Sequence, residues 1–224
     1  YLGVPGAQGG IAFYRTRYAS EQRNYPDIQV QMSSSLTGGI FRKVWNIQSK
    51  VWESLYERDQ TDNHQGIYLT TLLLHPKSTG TIRLKSNSPK DRPLIDPKFL
   101  SNSEDAVTLA EGLKMQMQLQ GTQAFQKIGA RLSERSLPNS DPTSLYSEEY
   151  LQKFVRTMTL TGHHPTSTCR MGSNDDTHSV VDSDLKVIGL RNLRVVDASV
   201  MPKVTSGNTG APTIMLAEKA SDLI

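Results

Sequence analysis

The chain has 224 residues, 36% of them apolar, with 8 Tyr, 5 Phe and 2 Trp, enough to bury a core and to exclude a disordered polymer. Its 25 Lys and Arg against 22 Asp and Glu leave a formal net charge of +3 spread along the whole length, so no charge block marks a nucleic-acid or membrane footprint. A single cysteine, Cys169, excludes an internal disulfide framework and a cysteine-based zinc cluster, and no apolar run reaches the roughly eighteen residues of a bilayer span.

Position 1 is Tyr rather than Met and no charged segment followed by an apolar one opens the chain, so any leader is expected upstream. The stretch Tyr1 to Gly10 carries Gly3, Gly6, Gly9 and Gly10, but without G-x-G-x-x-G spacing it reads as a plain loop. Asp27 to Met32 alternates apolar and polar residues, the mark of a half-buried strand. Gly66 to His75 is dense in β-formers, and Thr81 to Lys85 alternates cleanly after the turn Pro76 to Gly80; the expectation is two adjacent antiparallel strands. The Pro-rich stretch Ser88 to Pro97 reads as a loop.

Ser101 with Glu104 three places on offers a capping box for a helix running to about Gln120, with Val107, Ala110, Leu113 and Met117 at helical spacing. After a second Pro/Ser-rich loop, Ser136 to Ser144, the hydroxyl of Ser147 is expected to cap a helix whose buried stripe is Leu151, Phe154, Val155 and Met158. That helix delivers the chain to Gly162-His163-His164-Pro165, where Pro165 forces extended backbone on His164 and so presents its side chain. The five histidines, His64, His75, His163, His164 and His178, have no H-E-x-x-H context, so no metal site is expected.

Beyond Cys169, Val180–Asp182, Leu185–Gly189 and Leu193–Ser199 read as short strands, the last buried on both faces as in a parallel sheet. Ser206 to Pro212 is a loop, and Pro212 is placed as the first residue of a terminal helix. Unpaired N–H groups and the helix dipole at that terminus suit an electron-rich group.

The stretch His164-Pro165-Thr166-Ser167-Thr168-Cys169-Arg170-Met171-Gly172, then Val180-Val181-Asp182, Leu193 to Pro202 and Gly207 to Thr213, resembles the C-terminal signature of the glucose–methanol–choline (GMC) flavoprotein oxidoreductases. It is most similar to the insect glucose dehydrogenase-type branch, and the weaker similarity extends over nearly the whole chain. The resemblance implies an α+β fold: an antiparallel-sheet substrate domain with flanking helices over residues 1–179, and a segment 180–224 whose strand and helix complete a Rossmann-like FAD domain. The Rossmann-type dinucleotide loop is absent here, so the main FAD-binding body is expected in an N-terminal half of the same chain.

The resemblance further implies FAD as cofactor and a small alcohol or sugar as substrate, with no nucleic acid and no integral membrane segment. His164 would take the hydroxyl proton while hydride passes to flavin N5, and Asn208, 44 positions on, would hold the developing alkoxide. Asp197 and Ala198 would lie beside the flavin, the backbone of Thr209 and Gly210 near its pyrimidine edge, and His163 would pack or line the pocket mouth. Taken singly, Asn208 reads as a turn residue and Asp197 as a strand-end hydrogen bonder. Ser167 stands where the family has glycine; a positive φ there would strain it by on the order of 1 kcal/mol. Cys169 is a family-typical position with no redox role assigned. The alternative function is a non-redox, flavin-keeping lyase or a catalytically silent binding protein; an independently folded binding module is disfavoured because the terminal strand and helix would lack partners. Resemblance to insect relatives suggests a secreted setting; the residues themselves name no compartment.

Overall fold

The computed structural model describes residues 8–20, 24–34, 39–56 and 66–224. The expected loop at 1–7 and His64 lie outside the described residues. Contacts group the chain into two units, one of residues 1–73 and 100–160, the other of residues 74–99 and 161–224. This grouping is discontinuous in sequence.

The first unit is built on a three-stranded antiparallel sheet of β1 (Gln8–Tyr14), β2 (Ile28–Ser34) and β3 (Ile67–Leu73) in the order β1-β2-β3. Ile28 and Val30 of β2 are buried as the alternation requires, and Val30 pairs with Ala12 on one side and Thr71 on the other. β1 starts at Gln8, inside the stretch read as a loop, with a bulge between Gln8 and Gly10. Glycine at 9 and 10 hides the strand signal, and pairing with β2 supplies what local propensity does not.

Two short helices, α1 (Gly39–Val44) and α2 (Ser49–Tyr56), separate β2 from β3. α3 (Ser103–Met117) then packs on the sheet, starting one residue later than the capping box suggested: Asn102 caps it, accepting from the Glu104 N–H at 2.9 Å. Gly112 lets this helix approach the sheet closely, since a Cβ there would lie a tight 3.0 Å from Thr71 Cγ2 and 3.1 Å from Ile28 Cδ1. After a 3-10 turn and α4 (Gln123–Lys127), α5 (Glu148–Met158) is capped by Ser147, whose Oγ accepts from the Tyr150 N–H at 3.1 Å, as expected. Leu151, Phe154, Val155 and Met158 join Ile28, Val30, Ala106 and Ala110 in one core, to which Tyr150 adds a ring whose hydroxyl accepts from the Leu137 N–H at 3.2 Å.

In the second unit β4 (Thr81–Arg83) pairs antiparallel with β5 (Leu94–Asp96), while β3 pairs with β2. The expected pairing of Gly66–His75 with Thr81–Lys85 is therefore incorrect, and so is the uninterrupted loop at Ser88–Pro97. Pro93 and Pro97 bracket β5 without interrupting it, and the partner of β4 is the segment after the turn that follows it.

The segment 180–199 forms no ladder: Val181 bridges Met171 and Val187, and Lys186 bridges Arg194. Leu193–Ser199 is thus not a strand buried on both faces; Leu193 is 48% exposed, and Val195 and Val196 are half-buried. A β-branched run becomes a strand only beside a strand that completes its ladder, and here turns at Asp182–Leu185 and Val187–Leu190 break the chain into bridges. Val181, Leu185, Val200 and Ala220 nevertheless form a small core. Ala220 belongs to α6 (Gly210–Ser221), which begins two residues before the expected Pro212. No helix of the described residues is long and apolar enough to cross a membrane.

Candidate active site

The site lies within the second unit, where the loop 161–172 runs beside residues 197–210. Pro165 keeps His164 out of helical geometry, and three bonds fasten the chain after it: Ser167 Oγ donates to the Met201 carbonyl at 2.9 Å, Cys169 N–H to the Ser199 carbonyl at 3.1 Å and Met171 N–H to the Val200 carbonyl at 2.8 Å. Val200 is fully buried and Met201 is 5% exposed, so this seam is anchored on the small core. Ser167 sits at φ +76°, the left-handed backbone that the glycine of the family pattern signalled.

The seam brings His164 to the start of α6. Its Nδ1 lies 2.9 Å from Thr209 Oγ1 and 3.5 Å from the Thr209 backbone nitrogen, across 45 positions of sequence. Thr209 is buried and is the N-cap residue of α6, but its hydroxyl is turned to the imidazole, so no side chain caps the helix. Its carbonyl accepts from Thr213 N–H at 3.0 Å and from Thr213 Oγ1 at 2.7 Å, which fixes it in the first turn. Asn208, the expected second catalytic residue, is exposed and precedes Thr209 by one position. Gly210 opens the helix, and a Cβ on Gly207 or Gly210 would meet no heavy atom within 4 Å.

Asp197 and Ala198 lie on the same seam but Asp197 is turned inward on its own chain. Its carboxylate accepts from the Ser199 N–H at 2.7 Å and caps the short 3-10 turn Ala198–Val200. His163 is exposed, at φ +59°, and so does not pack; its N–H donates to Thr161 Oγ1. Cys169 is a free, half-buried thiol.

Two contacts are absent from the sequence reading. One is Thr209 to His164, for which the expectation gave only backbone contacts. The other is His75, whose Nε2 lies 3.3 Å from Ser206 Oγ and so ties the start of the second unit to the loop that carries Asn208. Nearby, Arg170 pairs with Asp176 at 2.6 Å. The backbone N–H of His178, with Ser179 and Arg170, holds the Asp176 carboxyl below the usual carboxylate range. A shallow cavity lined by Met171, Gly172, Ser173, Asn174, Asp182 and Ser183 includes neither His164 nor Thr209. Among the described residues no group of three or more His, Cys, Asp and Glu is placed to hold a metal ion.

An imidazole, an amide side chain and a helix start without a side-chain cap share one loop seam. The GMC oxidoreductase family model matches residues 76–217, and the chain belongs to that family. It is 35% identical over 209 residues to glucose dehydrogenase [FAD, quinone] of Drosophila pseudoobscura pseudoobscura, covering 93% of this chain and 32% of that one. With alcohol dehydrogenase [acceptor] of Pseudomonas putida it shares 44% over 151 residues, 67% of this chain and 26% of that one. Among solved structures, pyridoxine 4-oxidase from Mesorbium loti superposes with a TM-score of 0.64 at 28% identity, over 95% of this chain and 36% of that one. The chain thus spans about a third of the length of these relatives.

Proposed function

We infer that this chain is the C-terminal portion of an FAD-dependent oxidoreductase acting on the CH–OH group of a small alcohol or sugar, with His164 as the proton acceptor. The observation that carries this reading is the seating of His164 on Thr209 at the start of α6, with Nδ1 2.9 Å from Thr209 Oγ1.

The residues present fit a flavin ring, above all in its reduced, anionic form. The start of α6 has no side-chain cap, Gly207 and Gly210 leave open space beside it, and unpaired N–H groups with the helix dipole stabilise negative charge on a ring carbonyl. Bound FAD supplies the hydride acceptor. His164 would take the proton of the substrate hydroxyl: the O–H bond breaks, an N–H bond forms on the imidazole, and the pair left on oxygen closes the C=O bond as hydride leaves the carbon that bears it. The Asn208 amide donates to the developing alkoxide without competing for that proton. Glucose and alcohols, the substrates in the relatives' names, are the first compounds to offer.

The test is anaerobic mixing of the full-length, FAD-loaded protein with a panel of alcohols and sugars while the visible flavin absorbance is followed. Bleaching is expected with at least one substrate, and His164→Ala should slow it about 10²–10⁴-fold. Bleaching at an unchanged rate in His164→Ala removes the base assignment. Bound flavin that stays oxidised with every alcohol replaces the redox reading by a lyase or binding role.

A further inference from the structure

We propose that the β4–β5 ribbon is a docking surface for the part of the full-length protein that precedes Tyr1, which covers the apolar face of Ile82, Leu84 and Ile95. The proposal rests on the chain being the C-terminal portion of a longer protein and on no role of His164, so the two stand or fall separately.

Among the described residues β4 and β5 pair only with each other. Ile82 stands directly opposite Ile95, so the two side chains share one face, and Leu84 follows Ile82 by two places on the same side. These three side chains are 53%, 65% and 84% exposed in the order Ile82, Ile95, Leu84. The opposite face is open as well, since Leu94 and its partner Arg83 are both exposed. No residue of 76–99 enters either hydrophobic core.

A two-stranded ribbon is marginally stable at best in water by itself, and apolar residues alternating along a strand are the mark of a side that is buried. This ribbon is nonetheless well shaped. A Cβ on Gly80 would collide with the Asp96 carbonyl oxygen, so the base of the ribbon is a close backbone approach. Its turn is held by the Ser86 hydroxyl bonding to the Asp91 carboxylate at 2.7 Å and by the Asp91 N–H donating to the Ser88 carbonyl at 3.1 Å. A regular, fixed and uncovered apolar face is what a docking surface presents.

The family model includes the ribbon, and the relatives are about three times as long as this chain, so most of such a protein lies outside the part described. A second copy suits the face less well. Residues 76–99 hold six Lys and Arg against two Asp, and two copies meeting through the ribbon would set like charges together. A different stretch of the same polypeptide can bring acidic side chains to that rim, and docks at the high effective concentration of a tethered partner.

The experiment is carbene footprinting of the full-length, FAD-loaded wild type, native and urea-unfolded, at two protein concentrations, with labelling of Leu84 and Ile95 read by mass spectrometry. It is joined by photocrosslinking of the same protein with p-benzoyl-phenylalanine in place of Leu84. Expected is labelling at least about tenfold lower in the native state, unchanged on dilution, and a crosslink within one chain to a peptide that precedes Tyr1. Labelling of both residues close to the unfolded level overturns the proposal. So does protection that is lost on dilution, or a crosslink between two chains, either of which assigns the face to a second copy. A crosslink confined to residues 1–224 overturns it too. Should the substituted protein not fold, footprinting of the wild type at the two concentrations still decides.

Discussion

Ser167 offers a quantitative test of how the site is held. Its φ of +76° costs a non-glycine residue about 1–2 kcal/mol, while its hydroxyl donates to the carbonyl of Met201 at 2.9 Å, a bond with a net contribution of about 1 kcal/mol. Ser167→Ala keeps the strained backbone and loses the bond, so it should destabilise by about 1 kcal/mol. Ser167→Gly loses the same bond, relieves the strain, and adds about 0.5–1 kcal/mol of backbone entropy to the unfolded chain, leaving it within about 1 kcal/mol of wild type. The contrast between the two variants holds the bond constant and isolates the backbone: glycine should be the more stable by about 0.5–1 kcal/mol. In urea unfolding this is a higher midpoint for Ser167→Gly at an unchanged m-value, and in thermal unfolding a gap of about 2 °C. If Ser167→Ala matches or exceeds Ser167→Gly, the serine carries no strain, and the idea that a hydroxyl stands in for the family's glycine at this turn is wrong.

The remaining predictions concern the first unit. Ser147→Ala removes the acceptor of the Tyr150 N–H at the start of α5 and should cost about 1 kcal/mol of stability, largely restored in Ser147→Asp; urea midpoints of the three proteins check this. Burial, with Tyr68 and Tyr150 adding to it, pushes the Tyr56 phenol from 10.0 up to about 12. Because the folded state holds this proton more tightly than the unfolded one, its contribution is fully present below pH 10 and is lost as pH rises towards about 12. Tyr56→Phe should therefore lose less stability than wild type between about pH 10 and pH 12 in urea titrations; equal losses would show that another group governs the alkaline limb.

Where the sequence could be read, the signal was local and repeated. The stripe Leu151, Phe154, Val155, Met158 and the cap Ser147 are spaced by the helix itself, and both stand as expected in α5. The strand β2 was legible for the same reason, through alternation. What failed was pairing. Gly66–His75 and Thr81–Lys85 are neighbours in sequence with a turn between them, but strand partners are chosen by side-chain fit and register across the sheet, and β3 found β2 while β4 found β5. Leu193–Ser199 failed for a related reason, since β-branched residues advertise a strand without saying whether a ladder is there to receive it.

The site divides along the same line. His164 and Asn208 could be singled out because each lies in a short motif that resembles the family's, and the positive φ of Ser167 was readable because a glycine position is a statement about backbone geometry. The contact that joins the two halves of the site was not. A threonine following Asn208 has no feature that distinguishes a hydroxyl turned to solvent from one turned to a histidine 45 residues upstream. That choice is made by the small core of Val181, Leu185, Val200 and Ala220, which holds the seam 167–171 against 199–201 on one side and the end of α6 on the other. Residues distant from the ring thus decide which imidazole nitrogen is engaged, and a sequence motif records residue types while leaving the orientation of the imidazole to packing.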